Sequence, residues 1–589
     1  MKIADMMNKL FALLTLILCA GYATAQVPDG SNARKDVLSR MYVYPKRIVW
    51  VSNDSMIENK QALLRTGPGQ SEFQARNMTK FTTTAHDTAS ILLDYGRELH
   101  GGLRIILGPS RPWGTQPIRV RFGESVSEAM SDWDHNRRRK GYSTNDHSIR
   151  DMNILVPSQG MTEVGNTGFR FVRIDFPRQG YVNVSELPAV LVYRDEPWRG
   201  SFSCSDSLLN YIWRTGAWTV QLCMQDYIWD GIKRDRTIWL GDMHPETSTI
   251  MSVFGYSDVV PRTLRLAVSQ YPLPQWLNGM SSYSMWYLII MNEWYMHQGD
   301  KAFLQENKDY ITGLVRQFDK AVDANGKLNI PGLHFLDWPS SPNKAGVESG
   351  YRALLRWSLA DADFLCKELG DNVAEKLCQE VMARLDKIVP TPHGLKQTAA
   401  LMTLCGWMKP EDACSQVIAK DGAKDFSTFY GYYMLQSMAR AGMWQEALDI
   451  VRQYWGGMLQ LGATTFWEDF DTRWLDNAGR IDEITPLGKV DVHKTYGAYC
   501  YQSLRHSLCH GWASGVTPWL TATVLGVEIT KPGCAELTIT PHLGDLEWAE
   551  GNFPTPKGNV WIKHVKGKDG KVKTTYKAPK GIKVKVAKS

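Results

Sequence analysis

The pattern of apolar and polar positions divides the chain into three parts. From about residue 40 to residue 196, short alternating runs such as Leu103–Leu107 and Phe169–Ile174 are separated by Gly and Pro. Alternation with a period of two, broken by turn residues, is typical of β-strands. Many such strands in succession predict an N-terminal β-sandwich, to which we assign residues 26–196.

The middle part, residues 197–525, shows apolar positions spaced three and four residues apart, which indicates helices. About twelve such runs occur, and they include Leu208–Gln225, Ser284–His297, Lys301–Asp323, Tyr351–Glu368, Val373–Ile388, Phe429–Arg440, Trp444–Tyr454, Thr495–Ser507 and Ser514–Leu525. Helices in this number, linked by long loops, predict six hairpins closed into an (α/α)6 barrel whose loops gather active-site residues at one end. An open solenoid would require a fixed-period repeat, and the sequence shows none.

After residue 525 the strand pattern returns in Glu536–Thr540, Asn559–Ile562 and Lys571–Thr575. Residues 526–589 are therefore predicted to form a small C-terminal β-sandwich domain, which completes a multidomain α plus β architecture. The lysines of this part alternate with apolar residues, as on the solvated face of strands. With a net charge of +6 and no recognition motif, the sequence does not indicate nucleic-acid binding.

The first 25 residues have the pattern of an export signal. Lys2 and Lys9 precede the apolar run Leu10–Leu18, and Ala23–Ala25 supplies an Ala-x-Ala cleavage site. This predicted signal peptide, residues 1–25, implies an exported protein, periplasmic in a Gram-negative bacterium. No later apolar run reaches the roughly 20 residues that a membrane-spanning helix requires.

The cysteines give no sign of a metal site. The chain has ten, of which Cys19 belongs to the predicted signal peptide. The others are scattered, without the CxxC pairs or His-rich spacing of structural zinc sites. We therefore expect no metal ion and no organic cofactor, although calcium stays open, and the sequence does not set the oligomeric state.

Two distant loops combine carboxylates with tryptophan: Asp230–Glu246 and Gly462–Asp471. Cleavage of a glycosidic bond needs one carboxylic acid to protonate the leaving oxygen and one carboxylate to attack or to activate water. Burial against aromatic rings helps the acid to keep its proton near neutral pH. The two loops are thus suited to glycoside hydrolysis, provided that the fold brings them together.

Segments in a fixed order throughout the chain connect these loops to one family. They are Asp94–Gly96 with His100–Gly102, Arg121–Glu124, Gly168–Phe171, Gly200–Asp206, Asp230–Asp242, Gly462–Asp471, Ser507–Trp512 with Pro518–Leu520, and Thr540–His542 with Pro554–Gly558. They resemble the bacterial α-L-rhamnosidases of glycoside hydrolase family 78 over nearly all of the chain after residue 26. The resemblance implies a hydrolase that removes terminal α-L-rhamnosyl residues from plant or microbial glycans with inversion.

The resemblance assigns the general base to Glu468, in the family's Gly-Ala-Thr-Thr-x-Trp-Glu segment. The family's general acid is the Glu of Arg-Asp-Glu-Arg, whereas this chain reads Arg-Asp-Arg from Arg234 and is one residue shorter. Asp235 is our first choice for the acid and Glu246 the second, with Asp242 a further alternative. If Arg234 and Asp235 instead form an ion pair that locks the loop, another acid acts or activity is lost.

The resemblance also implies residues that bind the sugar. Asp230 and Asp242 would accept hydrogen bonds from sugar hydroxyls, and Arg234 would orient carboxylates through its planar set of donors. Asp337 and Trp338 are similar to another pocket segment of the family. The expected partner is an oligosaccharide or glycan substrate.

Apolar walls would favour rhamnose, which carries a methyl group at C6 where hexoses carry a hydroxyl. Trp239 and Trp467 would face that methyl group, a contact worth about 1–3 kcal/mol. His510 is predicted either to bind a sugar hydroxyl or to lie in the core. Two other functions stay open: a helical-toroid glycosidase acting on a different sugar, and a carbohydrate-binding protein with a degenerate acid loop.

Overall fold

The computed structural model describes residues 32, 34–131, 150–499 and 502–587. The predicted signal peptide, residues 1–25, lies outside these residues. Within them, a β-rich part is followed by a helical part and then by a second β-rich part. None of the described helices is both long enough and apolar enough to cross a membrane.

The N-terminal part is a continuous ten-stranded sheet. Its strands are β1 Ser39–Val43, β2 Arg47–Val51, β3 Ile57–Glu58, β4 Thr79–Thr83, β5 Ala89–Arg111, β6 Thr115–Gly123, β7 Asp151–Pro157, β8 Met161–Phe176, β9 Gly180–Glu186 and β10 Ala189–Tyr193. Strand β5 is 23 residues long, and it pairs antiparallel with β2, β8, β9 and β10 along its length. The inward-facing apolar side chains form one core cluster, as the alternation predicts.

The helical part carries most of the predicted helices. After a short helix in the first part, α1 Val126–Met130, the helices are α2 Ser207–Cys223, α3 Leu240–Val253, α4 Val259–Gln270, α5 Ser281–Gln298, α6 Lys301–Glu306, α7 Lys308–Ala321, α8 Lys344–Glu368, α9 Asn372–Leu385, α10 Lys396–Leu404, α11 Pro410–Ala413, α12 Gly431–Arg440, α13 Trp444–Gln460, α14 Val492–Thr495 and α15 Val516–Thr523. The predicted helix over Lys301–Asp323 is divided at Asn307, which ends α6 and precedes α7.

The predicted helix over Thr495–Ser507 is wrong. Helix α14 ends at Thr495, and the next regular turn within the described residues is the 3-10 helix Ser503–Arg505. Gly497, Tyr499 and Ser503 have φ angles of 100°, 54° and 55°, which an α-helix does not contain. The apolar residues of this segment have helical spacing in the sequence but belong to an irregular loop. Part of this loop lines the candidate site described below.

Helix α3 was not predicted, because the segment containing Asp242 and Glu246 was interpreted as a loop. All 14 residues of α3 are buried. A helix that is buried on every side has no polar face and therefore shows little amphipathic periodicity. Its position in the interior brings Asp242 and Glu246 close to the centre of the helical part.

The C-terminal part contains two sheets, and one of them includes a strand from before the first long helix. The remaining strands are β11 Ser201–Cys204, β12 Ala478–Gly479, β13 Val490–Asp491, β14 Val527–Lys531, β15 Glu536–Ile539, β16 Trp548–Thr555, β17 Gly558–Lys566, β18 Val572–Lys577 and β19 Lys583–Val586. The sheets have the orders β11-β16-β17-β18 and β14-β15-β19. Strand β11, which falls within the predicted 197–525 domain, thus belongs structurally to the C-terminal part.

Candidate active site

Glu468 lies in a buried loop between α13 and β12. Its carboxylate contacts the segment that begins at Asp230 and ends at Glu246, which we call the acid loop. Its Oε2 accepts hydrogen bonds from the Arg234 guanidinium and, at 3.2 Å, from the backbone N–H of Ser507. Its carbonyl oxygen accepts from Thr428 Oγ1 at 2.6 Å and from Trp512 Nε1 at 2.9 Å. Groups from distant segments thus fix both the side chain and the main chain of Glu468.

The charges around Glu468 keep its carboxylate ionised. Burial alone would raise the pKa of this carboxyl, but the positive charges of Arg234 and His510 and the N–H of Ser507 together lower the pKa below its ordinary value. A buried carboxylate that stays ionised near neutral pH is suited to act as a general base.

His510 connects the acid loop electrostatically to Glu468. Its Nε2 lies 3.1 Å from Oδ1 of Asp242, whose Oδ2 accepts a hydrogen bond from the Tyr283 hydroxyl at 3.2 Å. Burial would lower the pKa of His510, but the carboxylates of Glu468, Asp242 and Asp230 outweigh burial and raise the pKa. The imidazole therefore favours its charged form between the two loops.

Asp230 fixes the start of the acid loop. Its Oδ1 accepts from the Thr237 N–H at 3.1 Å, and its carbonyl oxygen accepts from the Gly511 N–H at 2.7 Å. Burial raises the pKa of Asp230 well above its ordinary value, and the nearby charges of Asp242 and Asp235 raise it further. Asp230 thus holds the loop closed through hydrogen bonds at both its side chain and its main chain.

Asp235, our first choice for the acid, lies at the exposed edge of the loop with 35% of its side chain accessible. Its Oδ1 is 3.8 Å from Nη1 of Arg234. Arg234 makes closer contacts elsewhere, to Glu468 and, from Nε at 2.7 Å, to the carbonyl oxygen of Arg505. The ion pair considered above thus exists only as a long contact, and Arg234 orients Glu468 instead.

Glu246, our second choice, is enclosed in the protein. It lies on α3 and is 1% exposed, and Oε1 has no hydrogen-bond partner among the described residues. Burial raises its pKa well above the ordinary value, with further contributions from Cys223, Asp242 and Asp230. The carboxyl therefore keeps its proton but lies behind the loop, against Gly511.

The contact between Glu246 and Gly511 predicts a steric effect. A Cβ atom at Gly511 would lie 1.6 Å from Oε1 of Glu246, so Gly511→Ala forces a buried side chain to move, at a cost of about 1–3 kcal/mol. We expect urea unfolding followed by tryptophan fluorescence to show this loss. Gly456→Ala is the control, because its Cβ meets only the end of Leu208 at 3.2 Å within a helix, and an equal effect of both variants would contradict the prediction.

Asp337 and Trp338 lie on the loop before α8. Asp337 is buried, and its Oδ2 accepts from Ser427 Oγ at 2.8 Å and from Gln397 Nε2 at 3.1 Å. Burial raises the pKa of Asp337, and these hydrogen bonds oppose the rise. Trp338 is half-buried and stacks on Tyr499 with ring centroids 6.3 Å apart. Both residues thus lie near one another and near the loop that follows α14.

Trp239 and Trp467, which were predicted to form the apolar walls of the sugar pocket, differ in their surroundings. Trp239 precedes α3, is half-buried, and makes an edge contact with Tyr283 at 5.9 Å between centroids. Trp467 is 1% exposed and packs against Phe470 and His506. The structure therefore places Trp467 in the core, where it supports the Glu468 loop and has no open face for a sugar.

A cavity of about 650 Å³ is lined by the residues that directly follow Glu468, whereas Glu468 itself is not among the lining residues. Asp469, the next residue in the chain, lines this cavity, as does Gln397, the hydrogen-bond donor to Asp337. The other lining side chains are mainly aromatic or charged, and they include Lys396, Phe426, Asp471, Arg473, Trp474, Tyr496 and Tyr499. A concave site of this volume with aromatic walls and several polar groups can hold a small sugar.

Most residues of this cavity were missed by the sequence analysis. Asp469 belongs to the acid-rich segment Gly462–Asp471, but within it the sequence analysis assigned roles only to Trp467 and Glu468. Tyr496 and Tyr499 fall in the segment that was wrongly predicted as a helix. The available signal was the dense run of acids and aromatic residues from Trp467 to Trp474, which goes well beyond the family motif.

Lys233 ties the acid loop to the N-terminal sheet and to the segment after α14. Its Nζ lies 2.8 Å from Oε1 of Glu128 and 3.4 Å from Oε2 of Glu124. The same ammonium donates to the carbonyl oxygens of Leu504 and, at 2.9 Å, of His506. One buried cation thus connects three parts of the chain directly beside Arg234.

Within the described residues, Glu124, Glu128 and His493 lie close enough together to hold a metal ion. The Lys233 ammonium lies among them, ion-paired with both carboxylates and 3.3 Å from Nε2 of His493. The side-chain cation takes the position that a metal would need, so this donor set does not favour metal binding.

Known proteins resemble the chain in both sequence and fold. A profile of the bacterial alpha-L-rhamnosidase 6 hairpin glycosidase domain matches residues 197–354. An alpha-L-rhamnosidase of Alteromonas sp. (strain LOR) is 24% identical over 554 residues, which cover 84% of this chain and 56% of that protein. An alpha-L-rhamnosidase of Streptomyces avermitilis is 20% identical over 513 residues, 80% of this chain and 45% of that protein. The chain thus spans about half the length of these curated relatives.

A crystal structure of a GH78 family rhamnosidase of Bacillus sp. GL1 has the same fold. It matches with a TM-score of 0.70 and 22% identity over 90% of this chain and 55% of that one. At this identity the match concerns the fold, a mixed α/β multidomain arrangement with a helical domain and flanking sheets. Residues 197–354 thus match the six-hairpin glycosidase domain of bacterial alpha-L-rhamnosidases, and over most of its length the chain is similar in sequence to curated alpha-L-rhamnosidases and in fold to a GH78 rhamnosidase.

Proposed function

We propose that this protein is an exported α-L-rhamnosidase that removes terminal α-L-rhamnosyl residues from glycans with inversion, with Glu468 as the general base. The observation that carries the proposal is the meeting of the two acid-bearing loops. Arg234 of the first loop donates to Glu468 of the second, and His510 contacts Asp242 of the first. The first loop lies within residues 197–354, which match the six-hairpin glycosidase domain of bacterial alpha-L-rhamnosidases.

The chemistry follows from the ionisation of Glu468. Its carboxylate takes a proton from a water molecule, whose oxygen attacks the anomeric carbon on the face opposite the departing oxygen, which inverts the configuration. Arg234 and Ser507 hold the carboxylate in place during this step. The cavity lined by Asp469 would receive the glycan, whereas Asp230 and Asp242, which were predicted to bind sugar hydroxyls, are buried and hydrogen-bonded within the protein.

The proposal includes an architecture and a location. Helices α2 to α15 would form the (α/α)6 toroid, between an N-terminal β-sandwich of residues 26–196 and a C-terminal β-sandwich from residue 526. The pattern of residues 1–25 supports export into the periplasm. The buried α3 supports the toroid, since an inner ring of helices is enclosed by an outer ring.

A panel of nitrophenyl glycosides tests the substrate. We expect turnover of the α-L-rhamnoside and no turnover of α-L-fucoside, β-D-glucoside or β-D-glucuronide. We also expect proton NMR, recorded in the first minutes of the reaction, to show the β anomer of rhamnose, because inversion of an α-linked substrate gives that anomer first.

Each other outcome has a defined meaning. If only a different sugar is cleaved, the rhamnose assignment is wrong. If the α anomer of rhamnose forms first, the inverting mechanism is wrong. If rhamnose binds in calorimetry and no glycoside is cleaved, the chain is a carbohydrate-binding protein with a degenerate acid loop.

A further inference from the structure

The acids of the first loop do not line the cavity of the candidate active site. Asp235 is exposed to solvent at the loop's edge, and Glu246 is enclosed against Gly511. Asp230 and Asp242 are buried and already hydrogen-bonded to Thr237 and to Tyr283 and His510. None of these four acids is among the described residues that line the cavity, and Glu468 itself is not among them. The acid that both lines the cavity and directly adjoins Glu468 in the chain is Asp469.

Asp469 is the acid that joins the cavity to the general base. It lines the cavity, and it follows Glu468 directly in the chain. The two side chains have different surroundings, since Glu468 meets Arg234 and Ser507. The backbone N–H of Asp469 donates to Nε2 of His506 at 2.9 Å, which fixes the main chain between the two carboxyl groups.

The surroundings of Asp469 favour its protonated form. Burial raises the pKa of Asp469, and the neighbouring charges of Glu468, Asp337 and Asp471 raise it further. A hydrogen bond from the backbone N–H of Phe470 lowers the pKa, and the net result is a pKa of about 7. Two of the cations that line the cavity are engaged elsewhere: Arg473 pairs with Asp471, and Lys396 donates to the carbonyl oxygens of Lys420 and Gly422. The ionisable groups that interact with Asp469 include Glu468, Asp337, Asp471, His506, Tyr454 and Tyr499. Those that line the same cavity are Lys396, Lys420, Asp421, Asp425, Asp471, Arg473, Tyr496 and Tyr499.

We propose, building on the proposed function, that Asp469 is the general acid of the reaction and replaces the Glu that the shortened loop lacks. Its carboxyl gives a proton to the glycosidic oxygen as the bond from that oxygen to the anomeric carbon breaks, and the bonding electrons stay with the leaving alcohol. Glu468 takes one proton from the attacking water. After turnover Asp469 is a carboxylate and Glu468 a carboxylic acid, and exchange with solvent restores both.

The leaving group distinguishes an acid catalyst from other roles. A dinitrophenyl leaving group departs without protonation, whereas a phenyl leaving group needs it. For Asp469→Asn we expect kcat/KM on phenyl α-L-rhamnoside to fall by about 10²–10⁴-fold and on dinitrophenyl α-L-rhamnoside by less than about tenfold. The wild-type rate should decline as pH rises through about 7, because the acid must be protonated, and the variant should lose this decline.

Asp412→Asn is the control, because Asp412 is an exposed aspartate on α11 and is not among the residues that line the cavity. It should leave the ratio of the two substrates unchanged. Equal losses on both substrates for Asp469→Asn, or no loss on either, would overturn the inference. If Asp469→Asn does not fold, the wild-type pH profile decides, and a rate that stays constant from pH 6 to 9 overturns the inference.

The two proposals fail in different ways. If the wild-type protein cleaves neither rhamnoside, the proposed function fails and the role of Asp469 fails with it. If another sugar is cleaved, the same two leaving groups on that sugar test Asp469 independently of the rhamnose assignment.

Discussion

Glu468→Gln should abolish most of the activity, with kcat lowered by about 10²–10⁴-fold on every substrate that the wild-type protein cleaves. The amide has the same shape as the carboxylate but cannot take a proton from water. Both leaving groups should be affected alike, because activation of water is required whichever alcohol departs. Steady-state kinetics on the phenyl and dinitrophenyl rhamnosides measures this effect.

The pH dependence adds a second expectation for Glu468. Because Arg234 and His510 hold its pKa below the ordinary value, the wild-type rate should decline on the acid side only below the usual range of a glutamate. Glu446→Gln, an exposed change on α13, is the control and should leave kcat unchanged. A Glu468→Gln enzyme with near wild-type kcat and intact sugar binding would rule out Glu468 as the base.

Lys233→Met should lower the free energy of unfolding by about 3–5 kcal/mol, since removing one partner of a buried ion pair leaves the other charge uncompensated. In this case Glu124 loses the ammonium at 3.4 Å, Glu128 loses it at 2.8 Å but keeps Arg150 at 2.8 Å, and the carbonyl oxygens of Leu504 and His506 lose a donor. Urea unfolding monitored by tryptophan fluorescence measures the loss.

Lys376→Met provides the comparison, because Lys376 also forms an ion pair, with Glu380 at 3.5 Å, but 77% of its side chain is exposed. An exposed pair of this kind contributes about 0–1 kcal/mol. If the two variants were equally stable, the buried cluster around Lys233 would not hold the acid loop in place. Lys233→Met should also reduce activity, because Arg234 is the next residue in the chain.

The fold was predictable from the sequence where a strand or helix has one buried, apolar face and one exposed, polar face. The strands of the N-terminal sheet and helices such as α7 and α13 bury one side only, so their periodicity is visible in the sequence. Helix α3 is buried all round and shows no such signal. The segment after α14 has helical apolar spacing but left-handed residues at Tyr499 and Ser503, which side-chain pattern alone does not indicate.

The candidate site was predictable as far as the family motif extends. The motif identified Glu468, Arg234, Asp242 and His510, and the structure brings them together. It did not indicate Asp469, because the pKa of that residue depends on burial and on charges that only the folded chain assembles. The exposed position of Asp235 likewise follows from the path that the shortened loop takes in the fold, and a comparison of sequences does not define that path.

Strand β11 has a consequence for how the chain is made. Ser201 pairs with Asn552 in the sheet of β16, 351 positions further along the chain. During synthesis β11 leaves the ribosome long before its partner exists, and an unpaired strand edge is prone to pair with other chains. Proteins made from the N-terminus usually complete one domain after another, but here the strand that precedes the first long helix stays unpaired until β16 has been made. The edge of β11 is therefore exposed to mispairing during the synthesis of the 351 positions that separate Ser201 from Asn552.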